Sequence, residues 1–176
     1  MTHSPTIRIW YEGLHVSRAR SEGGADLLPL LSLSAGDHIH GRLRLEIAGR
    51  DLPSLGYAGH LGSEACFQAW LPQLQNVADA FLKQESVTCL YGESEQGQPE
   101  FLFERRGEKG FLSIVDSRVT DGKADPAWQR TEFVSDEFLV TYKQFRESFL
   151  STIRDQAPRY GDEWIARLTF RGSVGA

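Results

Sequence analysis

The 176-residue chain is poor in the features that most quickly narrow a function. It has 2 cysteines and 1 methionine. Two cysteines are too few for the stapled framework of a small secreted domain. Cys66 falls in an apolar helical pattern and Cys89 in a strand-like run, so both read as small buried hydrophobes. A bridge between them would need Cα atoms within about 7 Å. The N-terminus, MTHSPTIRIWYEG, lacks a basic stretch followed by an apolar one, which speaks against a signal peptide. The longest apolar-rich run, residues 27–33, is broken by Pro29 and Ser32. It falls far short of the ~20 residues of a membrane helix. The expectation is a cytoplasmic protein with no membrane segment.

No run of one charge stands out either. There are 19 Lys plus Arg against 24 Asp plus Glu, a formal net charge of −5. Residues 1–88 carry 7 basic and 9 acidic side chains, and residues 89–176 carry 12 and 15. With no basic half or tail, a nucleic-acid partner is not expected. Signatures of catalysis are missing as well. There is no GxSxG elbow, no GxGxxG, no P-loop, and no HExxH or CxxC spacing. The glycines of GYAGHLG, at 56, 59 and 62, do not match a phosphate-binding loop.

What is present is enough for one core. The apolar fraction is 40%, and a chain of this size buries roughly 70% of its unfolded surface. A single domain over 1–176 is expected, with a loose tail at 171–176. TIRIWY (6–11) alternates as a strand, and residues 13–24 read as a loop or a frayed hairpin arm. Residues 27–33 fit either a strand or a short turn. Residues 37–48 alternate most cleanly. Ile39, Leu43, Leu45 and Ile47 point one way; His38, His40, Arg42, Arg44 and Glu46 point the other. Residues 49–62 read as a glycine-rich loop with a short strand around 55–58. A helical stripe of Phe67, Trp70, Leu71, Leu74, Val77, Ala78, Phe81 and Leu82 follows. Pro72 implies a helix starting near Leu71 or a longer one kinked there.

Four strand candidates come next, at 87–91, 100–106, 110–119 and 129–134, joined by short links as in a meander. Ser135 is positioned to cap a final amphipathic helix carrying Phe138, Tyr142, Phe145, Phe149 and Ile153. Residues 164–170 fit a short helix or strand. Grouped strands predict an α+β fold. The expected form is an antiparallel meander sheet of about 5–7 strands with two amphipathic helices on one face. Trp10, Trp70 and Trp128 are expected in the core.

All five histidines (His3, His15, His38, His40, His60) lie in the first 60 residues. His38 and His40 share a strand face as an i, i+2 pair able to chelate a metal. A site would need a third ligand such as His60, Cys66 or Asp37, and no motif nominates one. The commoner reading is a solvated face, so no metal and no cofactor are assigned. The same face, continued by Arg42 and Arg44, could bind an anion. Glu46 and Asp51 dilute its potential.

Acidic side chains gather at two links. Glu93, Glu95 and Glu100 flank one, and Asp121 and Asp125 flank another. In a meander these links fall at the same end of the sheet. The result is an acidic rim suited to a basic protein partner.

The stretch from Phe67 to Trp164 contains a helix around WLPQL, a hairpin around FLFERRGEKGFLSIVDSR, a loop ending in PAWQ and an amphipathic helix. This outline resembles the immunity proteins of bacterial polymorphic and contact-dependent toxin systems. The resemblance implies a single non-enzymatic cytoplasmic α+β domain that neutralises a cognate toxin by direct binding. The acidic rim, read from the charges and not from the resemblance, is the candidate docking surface. The alternative is a small enzyme or a ligand- or metal-binding domain using the His38, His40, Arg42 and Arg44 face.

Overall fold

The computed structural model describes residues 6–21, 23–53, 55, 57–59, 62–92 and 97–170. Glu93, Glu95, His3 and His60 lie outside the described residues.

The chain opens with β1 (Ile7–Ala19), β2 (Ala25–Leu28), β3 (His38–Ile47), β4 (Arg50–Asp51), β5 (Tyr57–Gly59) and β6 (Gly62–Cys66). These make one antiparallel sheet in the order β2-β1-β3-β6-β5, with β4 folded back on the end of β3. β6 runs directly into α1 (Phe67–Lys83). The chain then forms β7 (Ser86–Tyr91), β8 (Glu100–Arg106), β9 (Lys109–Val115) and β10 (Thr131–Val134). This second sheet is an antiparallel meander. α2 (Ser135–Gln156) and α3 (Gly161–Phe170) complete the fold.

The α+β class is as read, but among the described residues the strands divide into two sheets, not one, and the α-helices number three. The cause is α1, which carries the chain from the last strands of the first sheet to the start of a new one. Alternation in sequence reports which face of a strand is buried, not which strand lies beside it. The helices therefore bridge the sheets. α1 packs on β3 and β6 of the first sheet and β7 of the second, while α2 packs on β1, β9 and β10. α3 covers the two longer helices.

The core is one continuous cluster. Trp70 stands edge-on to Tyr91 with ring centroids 4.5 Å apart, and Phe67 meets Phe149 at 4.7 Å. Trp164 and Trp128 are buried. Trp10 is not in the core. It lies on the outer face of β1, where the guanidinium groups of Arg8 and Arg44 approach its ring at 5.2 and 5.5 Å.

Other differences have local causes. Of the two readings of residues 13–24, the hairpin arm is the one formed: β1 continues through Gly13 to Ala19, and its second half pairs with both β2 and β3. Residues 27–33 contain both structures named for them, the end of β2 and a 3-10 turn at Leu30–Ser32. α1 takes the longer form with Pro72 inside it. Its stripe is buried except for Leu82, which is 70% exposed. The α2 stripe is buried throughout. Ser135 is the first residue of α2 and does not cap it. Here β10 runs straight into the helix, and Thr6 secures the junction. Its hydroxyl accepts from Val134 N at 3.1 Å, and its N–H and hydroxyl donate to Glu137 Oε2 at 2.7 and 2.5 Å. Among the described residues, no helix is long and apolar enough to cross a membrane.

Candidate metal centre

The outer face of the first sheet gathers the residues that carry chemistry. Strands β1, β3 and β6 lie side by side. His15 on β1 is opposite His40 on β3, and His40 is opposite Cys66 on β6. Cross-strand partners share a face, so three potential ligands form one row across three strands. His38 lies two residues along β3 on the same face. Its ring stacks near that of His40, with centroids 6.3 Å apart.

Ligand atoms of His38, His40 and Cys66 all lie within 4.8 Å of one another. Cys66 Sγ is 3.6 Å from His38 Nδ1. Backbone contacts hold this spacing. Gln68, in the first turn of α1, accepts from Ile39 N at 3.3 Å and donates to Asp37 O at 3.2 Å. Its amide therefore clasps the backbone on both sides of His38 and ties the start of β3 to the segment carrying Cys66. Cys66 itself is the N-cap residue of α1, at the positive end of a 17-residue helix.

The electrostatics favour a ligand state. Burial lowers the pKa of His40 to about 4, with the neighbouring His15 and His38 adding to the shift. At neutral pH its imidazole is uncharged, the form that binds a metal. Two imidazoles and a thiol make a donor set suited to zinc-class and other borderline-to-soft ions. Cys66 and Cys89 form no disulfide.

Of the three third ligands named from sequence, the structure brings Cys66 to the histidine pair. Asp37 is engaged elsewhere, accepting from Arg18 Nε and Nη2 at 3.1 and 2.6 Å and from Ser34 N and Oγ at 2.9 and 2.8 Å. His15 was not among the named ligands. Its signal in the sequence was the pair Gly13 and Gly41, which marks a bulge only once β1 and β3 are known to be neighbours.

The remaining candidates hold less. Arg44 pairs with Asp51 at 2.5 Å and Glu12 at 3.9 Å, so its charge is offset within the sheet. Arg42 is exposed on the same face. The two acidic links do meet at one end of the second sheet. Gly97 N donates to Asp121 Oδ1 at 3.0 Å, and the Thr120 hydroxyl donates to Gln98 O at 2.6 Å. Glu100 is buried there and accepts from Arg118 Nε at 3.1 Å. Asp125 accepts from Ala127 N at 2.9 Å, capping a 3-10 turn at Pro126–Trp128. Asp121 is exposed. A groove of about 300 Å³ between the helices is lined by Leu71, Tyr142, Leu150 and Leu168. Three of its polar groups form a hydrogen-bonded chain, since Tyr142 donates to Gln75, which donates to Asp79.

No family model matches the chain, and no curated protein or solved structure is similar to it.

Proposed function

We propose that this protein is a non-enzymatic metal-binding domain that holds a zinc-class ion through His38, His40 and Cys66. One observation carries the reading. With Zn–S near 2.3 Å and Zn–N near 2.0–2.1 Å, a tetrahedral ion sets its N···S edge at about 3.6 Å. The separation of His38 Nδ1 and Cys66 Sγ is 3.6 Å. The thiol and the imidazole, hydrogen-bonded to one another in this structure, are also spaced as two ligands of one ion.

The test is metal analysis of the purified protein after dialysis against zinc, with a competitive chelator titration. One equivalent is expected, and Cys66→Ser and His40→Ala should each abolish stoichiometric binding. No uptake at micromolar zinc, or full uptake by the His38→Ala/Cys66→Ser double variant, would overturn the reading.

Toxin neutralisation by direct binding is a second proposal, favoured by the meeting of the two acidic links at one end of the second sheet. It requires a 1:1 complex with a basic toxin that weakens as salt rises. Co-expression with candidate toxins that yields no complex and no protection would refute it.

A further inference from the structure

The metal row has one more member. We propose that His15 is the fourth ligand, so that the site is a closed His3Cys tetrahedron that clips β1, β3 and β6 together and leaves no position for a substrate. This rests on the reading that His38, His40 and Cys66 hold the ion.

The state of the His15 ring is the first argument. Its Nδ1 lies 2.9 Å from Gly13 O. A carbonyl only accepts, so Nδ1 carries a proton and Nε2 is the ring nitrogen left to face a ligand. A ring nitrogen bound to backbone carbonyl, with the other bare, is the arrangement that metal-ligating histidines adopt. Nε2 is buried and has no hydrogen-bond partner among the described residues. A buried polar atom left unsatisfied destabilises the fold. The nearest charged neighbour of Nε2 is Glu64 Oε1, at 3.7 Å. A cation beside Nε2 relieves both atoms, and the His40 ring stands across the strand pair with its centroid 6.1 Å away.

The backbone is the second argument. The register between β1 and β3 shifts by one residue between Glu12 and His15. Gly13 adopts φ +60° at this bulge. Gly41 faces it, and a Cβ there would come within 2.9 Å of Glu12 O and 3.0 Å of Leu14 Cδ2. Without the extra residue, Leu14 would stand opposite His40 and His15 would turn to the other face of the sheet. Two glycines and an inserted residue therefore aim His15 at the row. Charge closes the argument: a divalent ion, the Cys66 thiolate and the Glu64 carboxylate sum to zero.

Cobalt(II) titration of wild type, His15→Ala and His15→Gln tests this, with circular dichroism confirming the fold of each variant. A thiolate-to-cobalt band reports Cys66, and the intensity of the visible bands reports four-coordination. Wild type should show both and ignore added imidazole. Both variants should keep the thiolate band, bind more than about tenfold more weakly, the least expected even for loss of an outer partner, and take up imidazole to regain intensity. Variants indistinguishable from wild type, or a wild type that itself accepts imidazole, would overturn the fourth ligand while leaving the three-ligand site standing. A wild type with no thiolate band would sink the underlying reading as well.

Discussion

Replacing Asp37 with Asn removes a charge that four hydrogen bonds focus on. The Arg18 guanidinium, with help from Ser34, holds the Asp37 carboxyl at about 2, against 3.8 for an ordinary aspartate. At about 1.4 kcal/mol per pKa unit, that depression corresponds to roughly 2 kcal/mol of folding stability before screening. Arg18 is 42% exposed, so water screens the pair, and the effective figure is about 1–2 kcal/mol. Because the folded pKa is depressed, the contribution is fully present above about pH 4. It is lost as pH falls through about 2. Urea unfolding of wild type and Asp37→Asn at pH 7, 5, 3.5 and 2.5 should show a gap of about 1–2 kcal/mol at the two higher values that narrows at the two lower. The corresponding drop in melting temperature at pH 7 is about 3–6 °C for a chain of this length. A gap that stays constant across that range would refute the reasoning, because the loss would then be packing and not charge. No gap at pH 7 would refute it equally.

Three further outcomes are expected. Phe149→Ala should cost about 3–5 kcal/mol by chemical denaturation, since Phe149 meets Tyr11, Phe67 and Trp164 with centroids at 5.4, 4.7 and 6.0 Å. Gly110→Ala should lower the urea midpoint by the equivalent of about 1–3 kcal/mol, because a Cβ on β9 would overlap the Phe133 ring on its partner strand; an unchanged midpoint would mean that the β9–β10 pairing yields without cost. Zinc at a hundredfold excess over its dissociation constant should stabilise wild type by about 2.7 kcal/mol, read as a thermal shift that a chelator reverses and that Cys66→Ser lacks.

The sequence by itself determined the burial of most elements. The alternation over 37–48 is β3, with Ile39, Leu43, Leu45 and Ile47 inside. The stripes of α1 and α2 are the faces that pack, because the amphipathic period follows directly from the backbone repeat. The meander after α1 was legible too, since short links leave antiparallel neighbours as the simplest pairing. Leu82 and Trp10 lie outside the core because apolar type states a preference, while the ends and outer faces of elements are settled by what packs there.

The candidate site was half legible. His38 and His40 share a face by period alone, and Cys66 was one of three possible companions. Only the tertiary structure chose it, by seating β6 on the far side of β3 from β1. His15 and Cys66 are 51 residues apart in sequence, yet they occupy one row because strand order, and a bulge invisible to any local pattern, set them there. Local chemistry dictates which face of each strand is polar. Which polar faces become neighbours is decided by long-range pairing, and it is that pairing which brings scattered histidines and a cysteine together as a candidate ligand set.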